Sequence, residues 1–213
     1  MSKRAVIIAG ATGMVGKEIL AGLLADDTVA VVYALGRKAP ALQHPKLEVH
    51  VVDFANLPLL PQADEVYLAL GTTIKVAGSQ EAFRAIDYDA NLAVARAAQA
   101  AGVKKLGLVS AMGADAKSGV FYNRVKGELE NALEKMPFEG MVFARPSLLV
   151  GDRVVLGQPE RRGEKLGLAI SKLIGFLIPG NYRPIAATAV AKALLSQVPQ
   201  AQGKTVLLSG AMH

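Results

Sequence analysis

Tyr122 and Lys126 are the residues of this sequence whose types and spacing most clearly suggest chemistry. Four residues apart on a helix, a phenol and an ammonium lie close together on one face. A nearby cation favours the phenolate form of a tyrosine, so such a pair can exchange a proton with a carbonyl or an alcohol near neutral pH. Because this spacing also arises by chance, its value depends on the elements that precede it in the chain.

A glycine-rich loop near the start of the chain joins an apolar run to a helical pattern. Its three glycines have the spacing G-x-x-G-x-x-G. Glycine allows a tight turn, a close approach of the backbone to a pyrophosphate, and close packing of a helix on a sheet. Backbone N–H groups at the start of the helix can then bind phosphate oxygens. The loop predicts a dinucleotide site, and its candidate contacts are Gly10, Thr12, Gly13, Met14, Val15 and Gly16.

The residues after the second predicted strand indicate which dinucleotide binds. NAD sites usually have an acid at this point to hold the ribose 2′-hydroxyl. Here the strand is followed by Gly36, Arg37 and Lys38, with no carboxylate. A guanidinium offers a planar set of donors for a 2′-phosphate, and the lysine adds charge. We therefore predict NADP(H) in preference to NAD(H), although a solvated basic turn would have the same sequence.

Polar or small residues also follow the third and fourth predicted strands. Asp53 follows the third strand, where it would accept a hydrogen bond from the adenine amino group or cap the strand end. The fourth strand leads into Leu70, Gly71, Thr72 and Thr73. Small residues there leave room for a cofactor, and the two hydroxyls would bind it or cap a turn.

Ser110 ends the fifth predicted strand, a short loop before the helix of Tyr122. A serine there can donate to a substrate carbonyl while Tyr122 supplies the proton and Lys126 steadies the tyrosine and holds the nicotinamide ribose. Taken alone, each residue has an ordinary structural interpretation, as a turn serine, a half-buried tyrosine or a solvent-facing lysine. Arg145 would pair with a cofactor phosphate or with a nearby acid.

Short apolar strands alternate with longer helical patterns along most of the chain. This alternation predicts a doubly wound α/β fold, a parallel sheet with helices on both faces, in one domain spanning 1–213. The predicted strands are Arg4–Ala9, Val29–Leu35, Leu47–Val52, Glu65–Leu70, Lys105–Ser110, Met141–Pro146 and Thr205–Ser209. The predicted helices are Met14–Ala25, Gln80–Ala101, Gly119–Met136, Glu164–Leu177 and Ile185–Gln197.

Composition narrows the classes of function. The net charge is +6, but the charges are scattered and are not interleaved with aromatic residues, so no nucleic-acid partner is expected. The chain has no cysteine, and its three isolated histidines (His44, His50 and His213) predict no metal site. The apolar run near the start ends at once in Gly10. We predict no signal peptide, no membrane partner and a cytoplasmic location.

Taken together, the glycine loop, Ser110 and the Tyr122–Lys126 pair resemble the short-chain dehydrogenase/reductase superfamily, in its extended or atypical branch. The segments 70–73, 125–130 and 144–147 are similar to those of the Tat-interacting-protein-like oxidoreductases, an atypical group. The resemblance covers nearly the whole chain.

This resemblance implies an NADP-binding Rossmann fold with a small C-terminal substrate lobe, mainly at 147–213, that folds back over the nicotinamide. It implies hydride transfer between NADPH and a small carbonyl or alcohol, with Ser110, Tyr122 and Lys126 as catalytic residues and Arg37 as the phosphate contact. A homodimer is one option for the assembly. The alternative function is a non-catalytic NADP(H)-binding regulatory or redox-sensing protein.

One feature of the resembled family has no assigned match in this sequence. Many relatives place an asparagine in the preceding long helix, where it anchors a water for proton relay. Asp87 is the best match to that position and Asn91 lies one turn further on. Neither residue is assigned to the relay.

Overall fold

Seven parallel strands form the central sheet in the computed structural model, which describes residues 3–150 and 180–212. They are β1 (Arg4–Ala9), β2 (Val29–Gly36), β3 (Leu47–Val51), β4 (Glu65–Leu68), β5 (Lys105–Val109), β6 (Gly140–Arg145) and, at one edge, β9 (Gly203–Leu208). Two short strands, β7 (Leu149–Val150) and β8 (Ile185–Ala186), pair separately in parallel. The order in the main sheet is β3-β2-β1-β4-β5-β6-β9. The predicted doubly wound parallel fold is confirmed.

The chain changes winding direction at β1, which lies between β2 and β4. β2 and β3 extend the sheet on one side of β1, and the later strands extend it on the other. In open parallel sheets a ligand binds outside the carboxyl ends of the strands at such a point. The ends of β1 and β4 are therefore where the site is expected.

Helices cover both faces of the sheet. The α-helices of the described ranges are α1 (Met14–Ala25), α2 (Ile74–Ala77), α3 (Gln80–Arg84), α4 (Asn91–Ala100), α5 (Phe121–Glu134) and α6 (Ala187–Gln197). Alternate residues of β1 divide between the two cores: Val6 and Ile8 pack with α1 and α6, whereas Ile7 and Ala9 pack with α4 and α5. This alternation follows from the two-residue period of a strand, and it explains why β1 is apolar from Ala5 to Ala9.

The predicted long helix Gln80–Ala101 is interrupted. A π-helix at Ala85–Ala90 separates α3 from α4, and it contains Asp87. A π-helix widens the backbone by one residue per turn and often occurs at functional sites. This interruption alters which side chains of the segment face the crevice.

Other elements differ from prediction at their ends. α5 begins at Phe121 rather than Gly119, and β4 ends at Leu68 rather than Leu70. The short elements α2, β7 and β8 were not predicted. The predicted helix Glu164–Leu177 lies outside the described residues.

Part of the range predicted as a substrate lobe belongs to the main layers. α6 packs against α1, and β9 pairs with β6 as the last strand of the sheet. Of the residues that the structure describes, none forms a helix long and apolar enough to cross a membrane.

Candidate functional site

The β1–α1 loop forms a cradle in which Gly10 and Gly16 occupy positions that have no room for a side chain. Gly10 has a φ of +90°, and a Cβ built on it would lie 2.5 Å from the carbonyl carbon of Ala69. A Cβ on Gly16 would lie 2.0 Å from the carbonyl oxygen of Gly10. Gly13 caps α1 without a side-chain hydrogen bond, so within the described ranges no side chain binds the N–H groups of the first turn. These features fit the pyrophosphate of a dinucleotide.

A first cavity of about 560 Å³ lies between this loop and the end of β2. Arg37 and Lys38 line it, both are exposed, and neither makes an ion pair with any residue in the described ranges. No carboxylate from those ranges lines the cavity. The predicted contacts that it brings together are Gly10, Thr12, Gly13, Arg37, Lys38, Leu70 and Gly71.

Asp53 lies outside both cavities of the site. Its carboxylate accepts hydrogen bonds from the Ala55 N–H at 3.0 Å and from Asn56 Nδ2 at 3.2 Å. The hydrogen bond from Ala55, followed by that from Asn56, lowers the pKa of Asp53. Of the two predicted roles, this geometry favours the strand-end cap over an adenine contact.

A second cavity of about 600 Å³ adjoins the first. Both are lined by Gly13, Ala69, Leu70 and Gly71, so together they form one crevice over the ends of β1 and β4. The predicted residues that line the second cavity also include Met14, Val15, Thr72, Thr73, Ser110, Tyr122 and Lys126. Gly16 and Arg145 line neither cavity.

Lys126 is held in a buried ion pair with Asp87. Its Nζ lies 2.7 Å from Oδ1 of Asp87, and the side chains of Lys126 and Asp87 are 4% and 1% exposed. Burial alone would lower the pKa of Lys126, but attraction to Asp87, Tyr122 and Glu130 outweighs it and raises that pKa. Lys126 is therefore a cation at neutral pH.

Asp87 and Asn91 also hold the loop that follows β4. The second oxygen of Asp87 accepts the N–H of Thr72 at 2.8 Å. Asn91 Nδ2 donates to the carbonyls of Leu70, Ile86 and Asp87 at 3.1, 3.3 and 3.1 Å. Asn91 thereby ties the π-helix to the loop that lines both cavities. Its Oδ1 is buried without a hydrogen bond to a residue that the structure describes.

Ser110 lies directly after β5 and donates its hydroxyl to the buried carboxylate of Glu130. Arg145 binds the same carboxylate with two N–H groups: its Nε lies 3.0 Å from Oε1, and its Nη2 lies 2.5 Å from Oε2. Glu130 raises the pKa of Arg145. Of the two partners predicted for Arg145, the structure provides the nearby acid.

The ring of Tyr122 packs against Phe83 of α3, with centroids 5.5 Å apart. Phe83 is fully buried, so the tyrosine ring is fixed from a neighbouring element. The loop after Ser110 packs closely on α5, the helix that carries Tyr122, because a Cβ on Gly127 would lie 2.2 Å from the amide nitrogen of Ala116. These contacts set Ser110, Tyr122 and Lys126 relative to one another.

Glu130 is a candidate site residue that the sequence alone did not single out, and it binds both Ser110 and Arg145. Tyr122, Lys126 and Glu130 follow one another at intervals of four along α5. The spacing that singled out the first two residues therefore also places Glu130 on their face. The spacing could not reveal that Arg145, at the end of β6, and Ser110, just after β5, both bind Glu130.

Comparison with known proteins gives matches in sequence and in fold. Residues 10–138 match the family described as NAD(P)H-binding. The chain is 33% identical to the protein fmp52, mitochondrial, of Emericella nidulans, over 96% of this chain and 95% of that protein. It is 32% identical to the protein FMP52, mitochondrial, of Candida albicans, over 88% and 85% of the two chains.

Solved structures with little sequence identity share the fold. A UDP-N-acetylglucosamine 4-epimerase of Methanobrevibacter ruminantium superposes with a TM-score of 0.70 at 15% identity, over 98% of this chain and 77% of the epimerase. A short chain dehydrogenase family protein of Francisella tularensis superposes with a TM-score of 0.69 at 10% identity, over 99% of both chains.

These findings correct one prediction and confirm another. The relatives are named as mitochondrial proteins, so the predicted cytoplasmic location is wrong. The predicted atypical short-chain dehydrogenase/reductase relationship is confirmed. The chain belongs to the NAD(P)H-binding family of Rossmann-fold proteins and, within it, groups with the fungal Fmp52 proteins.

Proposed function

We propose that the protein is an NADP-dependent oxidoreductase that transfers a hydride between NADPH and a small carbonyl or alcohol. The observation that supports this most is the single crevice formed by the two cavities. The glycine cradle and Arg37 lie at one end, and Tyr122, Ser110 and Lys126 lie at the other. A dinucleotide seated on the cradle would extend toward Tyr122.

The preference for NADPH rests on charge. Arg37 and Lys38 are exposed cations on the wall of the first cavity. A 2′-phosphate would give these cations an anionic partner, whereas a 2′-hydroxyl would not.

In this proposal Tyr122 is the acid/base group. NADPH held by the glycine cradle and Arg37 would supply a hydride to the carbonyl carbon and would become NADP⁺. Tyr122 gives its hydroxyl proton to the carbonyl oxygen, so the products are an alcohol and the Tyr122 phenolate, which Lys126 stabilises and solvent reprotonates. The reverse sequence oxidises the alcohol.

Ser110 acts in two ways, because a hydroxyl has one proton. While it donates to Glu130, its oxygen can only accept a hydrogen bond from an alcohol in the crevice. To polarise a carbonyl, the hydroxyl must turn from Glu130 toward the substrate oxygen.

The walls near Tyr122 support a substrate with an apolar body. Side chains that line this part of the crevice are Val76, Met112, Leu148, Leu149 and Tyr182. An uncharged ketone or aldehyde would bury its hydrocarbon part against them.

The test is Tyr122→Phe, assayed with NADPH and a broad panel of carbonyl compounds. Turnover should fall by about 10²–10⁴-fold, the usual contribution of an acid/base group. Stabilisation of the fold by NADPH should not change. Tyr88→Phe is the matched control, since Tyr88 lies under Arg84 and lines neither cavity. Wild-type turnover by Tyr122→Phe would refute the mechanism.

A second candidate is an NADP(H)-dependent regulatory protein. It is favoured by the internal pairing of the site, in which Ser110 is bound to Glu130 and Lys126 to Asp87. Binding of NADPH without reduction of any carbonyl in the panel would support this candidate instead.

A further inference from the structure

We propose that Asp87 is a positioning residue that balances the charge of Lys126, so that the Tyr122 hydroxyl serves as a proton donor in carbonyl reduction. This rests on the proposed function, because it assigns that function a direction. It also changes the role of Lys126 from an isolated cation to one half of a neutral pair.

The geometry of the pair carries the inference. Oδ1 of Asp87 lies 2.7 Å from Nζ of Lys126, and both side chains are almost fully buried. Charges in such surroundings are screened far less than charges in water. Tyr122 lies one helical turn before Lys126 on α5. The charge that acts on Tyr122 from this side is therefore that of the whole pair, which is near zero.

The other groups around Lys126 do not offset its charge in place of Asp87. Glu130, one turn after Lys126 on α5, is matched by Arg145 of β6. The loop after β4 contributes backbone, since a Cβ on Gly71 would lie 3.4 Å from Oδ1 of Asp87 and 3.9 Å from Nζ of Lys126. From α3, the residue packed on Tyr122 is the apolar Phe83. Among the described residues, Asp87 is thus the acid that offsets Lys126.

Asp87 cannot easily move away from this position. Its other oxygen accepts the Thr72 N–H at 2.8 Å, and its own carbonyl accepts from Asn91. The carboxylate is thus fixed between the crevice loop and the lysine. A fixed charge needs no rearrangement when the charge on Tyr122 changes.

The chemical consequence concerns direction. Reduction of a carbonyl needs the protonated phenol, whereas oxidation of an alcohol needs the phenolate. A single buried cation would favour the phenolate, and a neutral pair favours it much less. The pair therefore suits Tyr122 to act as a proton donor.

The test is a titration of Tyr122 followed by the ultraviolet absorbance of phenolate, which requires no substrate. The chain has no Trp and five Tyr, so subtracting the matching Tyr122→Phe titration isolates one residue. Burial raises the pKa of Tyr67 well above its ordinary value, which removes it from the range of interest. The variants are Asp87→Asn, Lys126→Met and the double variant.

The titration midpoints should follow the net charge of the pair. Asp87→Asn leaves the pair with a net charge of +1, so the Tyr122 midpoint should lie at least about one pH unit below that of wild type. Lys126→Met leaves a net charge of −1, so the Tyr122 midpoint should lie at least about one pH unit above it. The double variant has no charge and should return to the wild-type midpoint. This return is the expected result even if a single variant with an unpaired buried charge does not fold.

Two results would overturn the proposal. One is a midpoint for Asp87→Asn that equals or exceeds the wild-type value. The other is a double variant whose midpoint differs from wild type by as much as that of Lys126→Met. The titration also separates this inference from the proposed function: a wild type that reduces no carbonyl refutes the reductase, whereas an altered order of midpoints refutes the role of Asp87.

Discussion

The two ends of the crevice are built by different means. At the end near β2, backbone forms the surface: glycines line the cradle, and the exposed cations Arg37 and Lys38 make no ion pair with described residues. At the end near α5, Lys126 and Ser110 are each bound to a buried carboxylate, Asp87 or Glu130. The first end is complementary to an anionic ligand. At the second end, the polar side chains are already paired with carboxylates of the protein itself.

This difference indicates how each end responds to change. At the anion-binding end, removing a surface charge should weaken a ligand and leave folding intact, because that charge has no internal partner. At the neutralised end, removing a charge leaves its buried partner unpaired and should cost stability. The predictions below test this contrast, from the largest expected effect to the smallest.

Gly10→Ala should have the largest effect, on both folding and NADPH binding. Its Cβ would meet the backbone of Ala69 at 2.5 Å, and its φ is +90°. Gly78→Ala is a matched control, since Gly78 also has a φ of +90° but has no atom within 4 Å of a built Cβ. The free energy of unfolding of this control should fall by about 1–2 kcal/mol, because alanine is strained in the left-handed backbone conformation.

Gly10→Ala should lose about 1–3 kcal/mol more than this control, because of overpacking. It should also abolish the rise in melting temperature caused by NADPH. Urea unfolding and thermal shift measure the two quantities. Equal losses for the two variants would mean that the cradle is not tightly packed.

Glu130→Gln should destabilise the fold by about 3 kcal/mol, because Arg145 loses its charged partner in a pair whose carboxylate is only 3% exposed. Glu134→Gln is the control on the same helix, since Glu134 pairs with Lys204 where both side chains are 34–43% exposed. It should lose less than about 1 kcal/mol. Urea unfolding at neutral pH compares the two, and similar losses would contradict the contrast between buried and exposed pairs.

Arg37→Ala should weaken NADPH binding about tenfold and change NADH binding by less than about twofold. Its stability without ligand should match wild type. Thermal shift with each dinucleotide measures the effect, since ligand binding raises stability by about RT ln(1 + [L]/Kd), which grows with affinity at a fixed ligand concentration. Arg96→Ala, at an exposed position on α4 outside both cavities, is the control. Equal shifts with NADPH and NADH in wild type would remove the assignment of Arg37.

Asp53→Asn should have the smallest effect. The pKa of Asp53 lies below its ordinary value of 3.8, so its stabilising contribution is present above that value and is lost as the pH falls through the folded-state pKa. The small stability difference from wild type should therefore vanish in strong acid, as measured by urea unfolding. Affinity for NADPH should be unchanged, and a large loss would restore the adenine contact.

The secondary-structure elements at the anion-binding end lie where the sequence predicted them, because their features are local. The bounds of β1 and α1 agree with prediction, since an apolar run, three glycines and a helical pattern follow one another in a short segment. The absence of an acid after β2 is equally local. Two residues required the structure: the carboxylate of Asp53 binds within its own turn, and Gly16 lines neither cavity.

The neutralised end was predicted less completely because its partners are distant in sequence. Lys126 and Asp87 come from different helices. Ser110 follows β5, whereas Glu130 lies on α5 and Arg145 on β6. The π-helix is stabilised by Asn91 bonding to Leu70, a contact between segments that no local pattern encodes. The location could not be read from composition, and its prediction was wrong.

The most direct test of the hydride-transfer account is a single-turnover reaction with NADPH that carries deuterium at the transferred position. The account predicts that wild type moves deuterium onto the carbonyl carbon of a substrate from the panel, and that Tyr122→Phe, with NADPH bound equally well, does so at least about a hundredfold more slowly. Deuterium transfer at the same rate in both proteins, or bound NADPH that never transfers it, would contradict the account.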